Sequence, residues 1–460
     1  MFLPPFLAFF ERTFTPETFG RLADQTGWRQ RPGKIDPFEF HNSLMFGQLS
    51  AARQTLTAQV QVLSIPVTRQ AVDQRFNVRT VAYTKAAFAH ILTRTLEAAP
   101  DHPQAAALRA NFSALYLLDS TSFACPSSLQ TLFPGCGGDG STANVKILLR
   151  YEVITGQLEP LHVLAGKRSD QGQAQAAAAR LLANQLQLQD KGFYDAKAWQ
   201  AATAQGAYLL MPLPHATTLW ECPAPNQPEV LLDLAAALAA TTASQVDWPS
   251  LQAGKPGHRA GPLRLVAFRL PPASAERQRR GLRERMRTQG RTPSAKALQL
   301  AGWLLLLTNA PAAKLPTAML AYVYRLRWQV ELIFRQLKSV LRIDQTESAN
   351  PHRVQSELWA RLSCAVLLLA WHAQVSAVCW WCHQCEASFE KVVRLVRQWG
   401  QVIARAFLAG PHVLRQTLRC LWAHLLCNAR KGRQKSRPTT WENLFNFWLN
   451  PRPATAPTKA

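Results

Sequence analysis

The sequence predicts a mixed α/β fold, and three observations support that class. Of the 460 residues, 48% are hydrophobic, which is enough to bury real cores in a chain long enough for two to four domains. Between residues 111 and 211, short apolar runs bounded by turn residues alternate with helical patterns. The stretches before and after this region follow helical periods. We therefore predict an α/β core flanked by helical regions.

Residues 1–105 are predicted to form a helical region that binds DNA. Within it, Thr68 has the chemistry of an N-cap and opens a short helix. This helix is expected to carry Arg69 and Arg75, side chains of the kind that contact bases and phosphates. An ordinary polar helix face has the same composition, so the pattern does not establish a helix-turn-helix.

The predicted core follows as strands and helices in a fixed order. Asp119 is predicted to end the first strand, and Asp190 follows the fourth. Taken alone, each acid is commonly a turn former or a cap. The order of three strands, helix, strand, helix and strand is typical of the ribonuclease-H-like fold. The strands are expected at 113–118, 145–154, 161–165, 186–189 and 207–211, and the helices at 171–185 and 195–205.

An inserted β-rich subdomain is predicted at residues 215–302, because 140 residues separate Asp190 from Glu331. Strands are expected near 263–270, and a run from Arg277 to Arg291 follows with seven arginines and one glutamate. So many like charges repel one another unless they meet phosphate, although a solvated face has the same pattern. We predict that this run binds DNA. The arginines expected to make the contacts are Arg279, Arg280 and Arg283.

Residues 321–344 form one continuous helical pattern without Pro or Gly. An apolar stripe for burial runs along it, and a polar arc about 60° wide lies beside that stripe. An exposed Arg-Glu pair would explain only part of this arc. A phenol and two cations around one carboxylate suit a site that grips phosphate beside a metal ligand. The four polar side chains are Tyr324, Arg327, Glu331 and Lys338.

The core is predicted to comprise residues 106–214 and 303–375, and residues 376–460 form a helical C-terminal region. From Arg430 to Arg437, five of eight residues are cations, which is typical of a disordered arm that binds nucleic-acid backbones. The helices after residue 350 are expected at 354–374, 389–408 and 413–426.

The chain carries 52 Lys and Arg against 28 Asp and Glu, and the net charge of +24 favours a polyanionic partner such as DNA. Ribosomal or membrane-surface binding stays open. The longest apolar runs, at 303–307 and 364–371, are shorter than the ~20 residues that span a bilayer, and the first residues lack the cationic segment of a signal peptide. We expect a cytoplasmic, nucleoid-associated protein with no membrane partner.

Nine cysteines in a chain of this size suit thiols in a reducing compartment. Cys379, Cys382 and Cys385 form a dense cluster with His383. Zinc binding would need a second group of ligands, which only residues 420–427 could supply. We interpret the cluster as buried thiols on a helix, with zinc as the alternative.

The order Tyr-x2-Arg-x3-Glu-x6-Lys at Tyr324, Arg327, Glu331 and Lys338 is similar to a known signature. It is that of the insertion-sequence transposases of the "IS four" family, the bacterial DDE enzymes that cut and paste DNA. Leu-Thr-Asn at residues 307–309 strengthens the resemblance.

This resemblance implies a metal-dependent mechanism. Asp119, Asp190 and Glu331 stand where the family has its catalytic carboxylates, and they would bind two Mg²⁺ or Mn²⁺ ions, since hard cations prefer oxygen ligands. The enzyme would hydrolyse DNA at the ends of its element and join the freed 3′-OH to target DNA. Its partners would be double-stranded DNA, carrying the terminal inverted repeats or the target, and a second copy of the chain in a synaptic homodimer.

The resemblance also implies roles in DNA binding. Tyr324, Arg327 and Lys338 would hold the phosphates of the end being cut. Some family members stabilise a flipped base with an aromatic side chain. The unranked candidates for that role are Trp220, Trp248 and Trp303.

Three alternatives to a transposase stay open. A nuclease or resolvase of the same fold would cleave DNA without joining it. A DNA-binding repressor descended from a transposase would lack catalysis. A basic helical scaffold would have no chemistry, although it would not explain why the acids fall at strand ends.

Overall fold

The computed structural model describes residues 3–31, 33–47, 55–97, 109–137, 141–221, 229–345 and 348–432. These residues form a mixed α/β protein with a large sheet and many helices, as predicted. The helices are α1 (Leu3–Thr13), α2 (Pro16–Gln25), α3 (Pro37–Gly47), α4 (Leu56–Val60), α5 (Arg69–Asp73), α6 (Val78–Glu97), α7 (Gln171–Ala178), α8 (Ala196–Ala204), α9 (Leu234–Ala240), α10 (Pro272–Thr288), α11 (Ala295–Leu300), α12 (Thr317–Arg325), α13 (Trp328–Leu341), α14 (Pro351–His383), α15 (Phe389–Ala409) and α16 (Pro411–Asn428). The strands are β1 (Ala114–Ala124), β2 (Asn144–Glu152), β3 (Gln157–Ala165), β4 (Gln185–Gln189), β5 (Tyr208–Pro212), β6 (Leu219–Glu221), β7 (Val230–Leu231), β8 (Gln245–Lys255), β9 (His258–Arg269) and β10 (Trp303–Thr308).

The chain divides into two compact units. Unit one comprises Met1–Ala105, Ser120–Arg168 and Gln329–Arg437, and the described part of unit two lies in Ala106–Asp119 and Ser169–Trp328. Each unit is therefore assembled from separate stretches of sequence. This division crosses the four predicted domain segments, whose bounds stay a prediction.

In unit two the strand order is β1-β4-β5-β10-β9-β8-β6-β7. β4 runs parallel to β1 and to β5, whereas the later pairs are antiparallel. β4 and β5 are largely buried, as expected for parallel strands covered on both faces. Even the polar Gln187 and Gln189 of β4 are buried, and Gln187 Nε2 donates a hydrogen bond to Gln189 Oε1 at 3.0 Å. These strands position Asp119 and Asp190.

In unit one the strand order is β3-β2-β1, and β2 pairs antiparallel with β3. The N-terminal helices α3 and α6 pack against the long helix α14. The ring of Phe10 lies 5.3 Å from that of Trp371 between centroids. Cys364 Sγ donates to the carbonyl oxygen of Met45 at 2.8 Å. The N-terminal helices therefore cover α14.

By length and composition, α14 could cross a membrane, but 94% of its most apolar 18-residue window is buried inside the protein. Such burial is typical of the core helix of a globular domain. The run at residues 364–371, which was predicted to be a buried element, is buried throughout.

The prediction that Asp119 ends the first strand is wrong, because β1 continues to Ala124. The parallel pairing with β4 does stop at Leu118, so Asp119 ends only that part of the strand. Thr121 and Phe123 are buried in the extension. β-branched and aromatic side chains on alternate positions favour a strand, so Ser-Thr forms strand here and not a turn.

The helix predicted at residues 171–185 is too long, since α7 ends at Ala178. The Ala-rich sequence has helical propensity beyond that point. However, Leu181 is fully buried and Asn184 has a φ of 63°, a left-handed conformation that no helix interior contains. Tertiary packing therefore overrides local propensity and turns the chain into β4.

The single helix predicted at residues 321–344 is also wrong. α12 ends at Arg325 and α13 begins at Trp328. At the break, Leu326 N donates to Val323 O and Arg327 N to Tyr324 O, both at 3.0 Å, so each bond spans three residues and not four. Leu326 is fully buried, and this packing favours the tighter turn without any local signal in the sequence.

Candidate functional site

Asp119 and Asp190 occupy equivalent positions on two adjacent parallel strands. The last paired residues of β1 and β4 are Leu118 and Gln189, and each acid is the next residue along the chain. The same ends of parallel strands meet at one edge of a sheet, where sites in α/β proteins commonly form. Both acids are half-buried. The structure thus brings together the first two predicted carboxylates.

Arg327 pairs with Asp119 in unit two. Its Nη1 lies 3.5 Å from Asp119 Oδ2, and the two side chains keep only 20% and 18% of their exposure. A pair with so little exposure is screened less by solvent than a surface pair. Arg327 belongs to the two-residue connection after α12, so the break in the predicted helix places this cation. The carboxylate of Asp119 thereby has a positive charge beside it.

Tyr324 lies close to the same groups. Burial raises the pKa of Tyr324 to about 12; the carboxylates of Asp190 and Asp119 also raise it, whereas the charge of Arg327 opposes this shift. Arg327 lies 5.9 Å from the centre of the Tyr324 ring. Tyr324 therefore keeps its proton at neutral pH and can donate a hydrogen bond.

A further acid that we did not predict lies near Asp190. The carboxylates of Asp190 and Asp170 both face Gly192. A Cβ atom placed on this glycine would lie 3.9 Å from Asp190 Oδ2 and 3.8 Å from Asp170 Oδ2, so the two acids are neighbours. Asp170 occupies the N-cap position of α7, but its side chain makes no capping hydrogen bond. An Asp before a helix predicts a cap, so local sequence gave no reason to place Asp170 beside the site.

Glu331 and Lys338 lie on α13 in unit one. Seven residues are nearly two helical turns, so these half-buried side chains share a face of the helix. Lys338 Nζ donates to the carbonyl oxygen of Ser122 at 3.3 Å. Ser122 lies on β1, three residues after Asp119, so Lys338 contacts the strand that carries the first acid. The catalytic role of Glu331 stays a prediction.

The donor chemistry of Asp119 and Asp190 suits a hard divalent cation. Mg²⁺ is commonly held by one or two carboxylates while it keeps several water ligands. In the described part of the chain, no three His, Cys, Asp or Glu side chains are grouped so that they could hold a metal ion. Asp119 and Asp190 can each supply carboxylate oxygens to such a cation.

The cysteine cluster is only partly as predicted. Cys379 is buried, Cys385 is half-buried and Cys382 is exposed. Burial is the main cause that raises the pKa of Cys379 to about 11. Within the described residues these side chains belong to no metal-binding group.

Arg69 and Arg75, the two arginines of the N-terminal region that were predicted to contact DNA, differ in solvent exposure. Thr68 caps α5 as predicted, since its side chain accepts a hydrogen bond from Ala71 N at 3.2 Å. Arg69 is exposed on this helix. Arg75 is half-buried, with its guanidinium 5.2 Å from the centre of the Trp28 ring, so it already has a packing role.

More of the positive charge of the arginine run on α10 is paired with carboxylates than the sequence suggested. Glu276, which lies just before the run, pairs with Arg283 at 3.0 Å and with Arg279 at 3.7 Å. Arg279 Nε also donates to Leu298 O at 3.1 Å. Arg280 is exposed, and Ala275 is the one buried residue on the helix. α10 is thus an almost fully exposed basic helix with internal ion pairs.

Of the predicted basic tail from Arg430 to Arg437, residues 433–437 lie outside the described residues. Within the described part, Lys431 pairs with Glu386 at 3.1 Å.

The tryptophans also differ in exposure. Trp303 is 8% exposed and has Arg269 at 4.4 Å from its ring centre, and Trp220 has Arg259 at 3.9 Å. Trp328, which was not among the three candidates for stacking on a base, is 59% exposed and directly follows Arg327.

The chain is similar to known proteins. The family profile described as "Transposase DDE domain" matches residues 111–367. The transposase for insertion sequence element IS231F of Bacillus thuringiensis subsp. israelensis is 24% identical over 377 residues, which cover 78% of each chain. That for IS231B of Bacillus thuringiensis subsp. berliner is 22% identical over 447 residues, which cover 94% of this chain and 93% of the relative. A shorter match, 38% identical over 107 residues, covers 23% of this chain and 29% of the putative transposase InsL for insertion sequence element IS186A of Escherichia coli (strain K12).

Proposed function

This chain is a member of the DDE transposase family, in the "IS four" group, and from that membership we propose that it is a cut-and-paste DNA transposase. It would hydrolyse DNA at the ends of its element and join the freed 3′-OH to target DNA. The observation that carries the proposal is the pair of half-buried acids, Asp119 and Asp190, which directly follow the last paired residues of the parallel strands β1 and β4, with Arg327 beside the first acid.

Membership of this family implies dependence on a divalent metal. Asp119, Asp190 and Glu331 would hold it, as two Mg²⁺ or Mn²⁺ ions. When bound, the metal supplies positive charge that activates the attacking oxygen and stabilises the leaving oxygen. Arg327, whose Nη1 lies 3.5 Å from Asp119 Oδ2, would help to hold this carboxylate in place. Protonated Tyr324 can then donate to a phosphate oxygen near the acids.

DNA would be held by groups around these acids. Tyr324, Arg327 and Lys338 would contact phosphates at the end being cut. The exposed ring of Trp328 would stack on a base, since stacking needs an accessible aromatic face. Contacts further along the backbone would come from Arg69, Arg75, Arg279, Arg280 and Arg283.

The architecture we propose is a ribonuclease-H-like core at residues 106–214 and 303–375. The strand orders β3-β2-β1 and β1-β4-β5, with β4 and β5 parallel to β1, support it. Residues 215–302, with β6 to β9 and α9 to α11, would be the inserted subdomain. Residues 1–105 would bind the element ends, residues 376–460 would form a helical C-terminal region, and two copies of the chain would pair the ends in a synapse.

The test is a reaction of the full chain with DNA that carries its element ends, in Mg²⁺. We expect cuts at the ends and, with a pre-cut end, joining of the 3′-OH to a second DNA. Asp119→Asn should abolish both reactions while end binding, measured by gel shift, is largely kept. Cutting by this variant at nearly the wild-type rate would remove Asp119 from the mechanism.

The same experiment separates the alternatives. Cleavage of element ends without joining of a pre-cut end would identify a nuclease or resolvase. Specific binding with no metal-dependent nicking would identify a repressor.

A further inference from the structure

A cavity of about 260 Å³ opens beside Asp190 within unit two. Sites for drug-sized ligands usually enclose about 300–1,000 Å³, so this cavity suits a smaller group. Leucines and Trp303 form much of its apolar wall. Its polar lining consists of Asp190, Lys191, His215, Gln278, Arg285 and Tyr324.

Three basic side chains reach this cavity from three separate elements. Lys191 follows β4, His215 follows β5, and Arg285 lies on α10. Burial lowers the pKa of His215, and the charges of Lys191 and Arg285 lower it further, so these groups act on one another across the cavity. His215 is therefore neutral at neutral pH, whereas Lys191 and Arg285 are cations, and two positive charges that converge on one cavity favour a bound anion.

Arg285 differs from the other arginines of α10. Gln278, Leu282 and Arg285, at positions i, i+4 and i+7, form the face of the helix that lines the cavity. The salt bridges of this helix engage Arg279, Arg283 and Arg287, and none engages Arg285 in the part of the chain that the structure describes. A guanidinium that has no carboxylate partner and lies in a cavity can bind phosphate bidentately.

We propose that Lys191 and Arg285 form a phosphate subsite in this cavity, which holds one backbone phosphate of the DNA strand that approaches Asp190. The inference rests on the proposed transposase function and deepens it. Arg285 becomes a positioning residue for the cut, whereas the other arginines of α10 make general contacts with the backbone.

Arg287 provides a matched control on the same helix. It lies two residues from Arg285, so it points about 200° around the helix, and its side chain is 78% exposed. Arg285→Ala and Arg287→Ala remove the same charge from opposite faces. Both variants should keep the wild-type melting temperature, because α10 is almost fully exposed.

The first experiment needs no DNA. Phenylglyoxal modifies accessible arginines, and mass spectrometry reports the rate at each position, with and without inorganic phosphate. We expect phosphate to slow modification of Arg285 at least about fivefold and to leave Arg287 unprotected; Lys191→Ala should remove the protection of Arg285. Equal rates at Arg285 with and without phosphate would overturn the subsite.

The second experiment places the subsite in the reaction. Methylphosphonate, which removes the charge of one phosphate, is placed in turn at each position around the cleavage site. At one position it should slow the wild type and Arg287→Ala at least about tenfold, and should not slow Arg285→Ala further. If Arg285→Ala and wild type respond alike at every position, the positioning role is wrong.

The two proposals can fail separately. A protein that never cuts its element ends refutes the transposase proposal, while the phenylglyoxal protection experiment still decides whether the phosphate subsite exists.

Discussion

His41 is a fully buried histidine on α3, and neither ring nitrogen has a hydrogen-bond partner among the described residues. Burial, and then the charge of nearby His90, lowers the pKa of His41 to about 3. In the unfolded chain the pKa of a histidine is about 6.5, so the unfolded state binds the proton more tightly. The contribution of neutral His41 to the free energy of unfolding is therefore fully present above about pH 6.5 and is lost as the pH falls towards 3.

We expect the free energy of unfolding to fall by up to about 1.4 kcal/mol per pH unit below pH 6.5 because of this residue. His41→Phe should weaken that dependence and keep the packing against Phe19, whose ring centre is 4.8 Å away. Urea unfolding at several pH values measures the effect. His412→Gln, at an exposed position, is the control. A pH slope in His41→Phe equal to that of the wild type would contradict the assignment.

A substitution at Lys338 tests the proposal that single side chains beside the acids bind phosphates of the DNA end. Its hydrogen bond to Ser122 contributes only about 1 kcal/mol, so Lys338→Ala should keep the fold. We expect this variant to lose end-specific complexes and cleavage, with little rescue by extra Mg²⁺. Glu331→Ala should do the opposite, keeping binding and losing chemistry. Gel shifts and cleavage assays measure both, and normal cleavage by Lys338→Ala would leave the residue with a structural role alone.

At the scale of elements, Arg264 joins the β8–β9 hairpin to the start of α12. Its side chain is 5% exposed, and its Nη2 lies 2.6 Å from Asp247 Oδ2. Arg264 Nη1 donates to Leu315 O at 2.7 Å, and Thr317 Oγ1 donates to Asp247 at 2.8 Å. Thr317 is the first residue of α12, the helix that carries Tyr324. The network therefore fixes the helix that leads to the candidate site.

Arg264→Leu should destabilise the protein by about 2–3 kcal/mol. Breaking a buried pair costs about 3–5 kcal/mol, and the Asp247 side chain, which keeps 31% of its exposure, recovers part of its hydration. The double variant with Asp247→Leu should regain part of the loss, because no uncompensated carboxylate remains. Urea unfolding measures both variants. A single variant within about 0.5 kcal/mol of the wild type would show that the network is not structural.

The same scale shows what local chemistry can predict. The cap at Thr68 and the burial of the 364–371 run follow from side-chain type and period, and both are as predicted. The break at Leu326 depends on packing, which leaves no mark in the sequence nearby. The partner of Arg327, Asp119, is 208 residues away along the chain, so no local pattern could pair them. The position of Asp190 after the fourth strand was predictable, whereas the continuation of β1 past Asp119 and the pairing of Asp119 with Arg327 were not.

At the scale of the whole molecule, the N-terminal helices belong to the core of unit one. They contribute Phe10 to the contact with Trp371, and Phe88 lies 5.2 Å from Trp359 between ring centres. We expect a fragment of residues 106–460 to expose α14 and to aggregate or bind lipid vesicles. Vesicle flotation and size-exclusion chromatography measure this, with a fragment of residues 1–432 as the soluble control. A monodisperse 106–460 fragment with wild-type helix content would show that α14 is covered in another way.

The burial of α14 also matters while the chain is being made. Protein synthesis proceeds at about 5–20 residues per second, and about 250 residues separate Glu97 at the end of α6 from Pro351 at the start of α14. When α14 emerges from the ribosome, the N-terminal helices α3 and α6, which pack against it, have therefore already been synthesised. A circularly permuted gene that begins at Pro351 would reverse this order, and its nascent apolar helix would meet the membrane-insertion machinery before its cover exists.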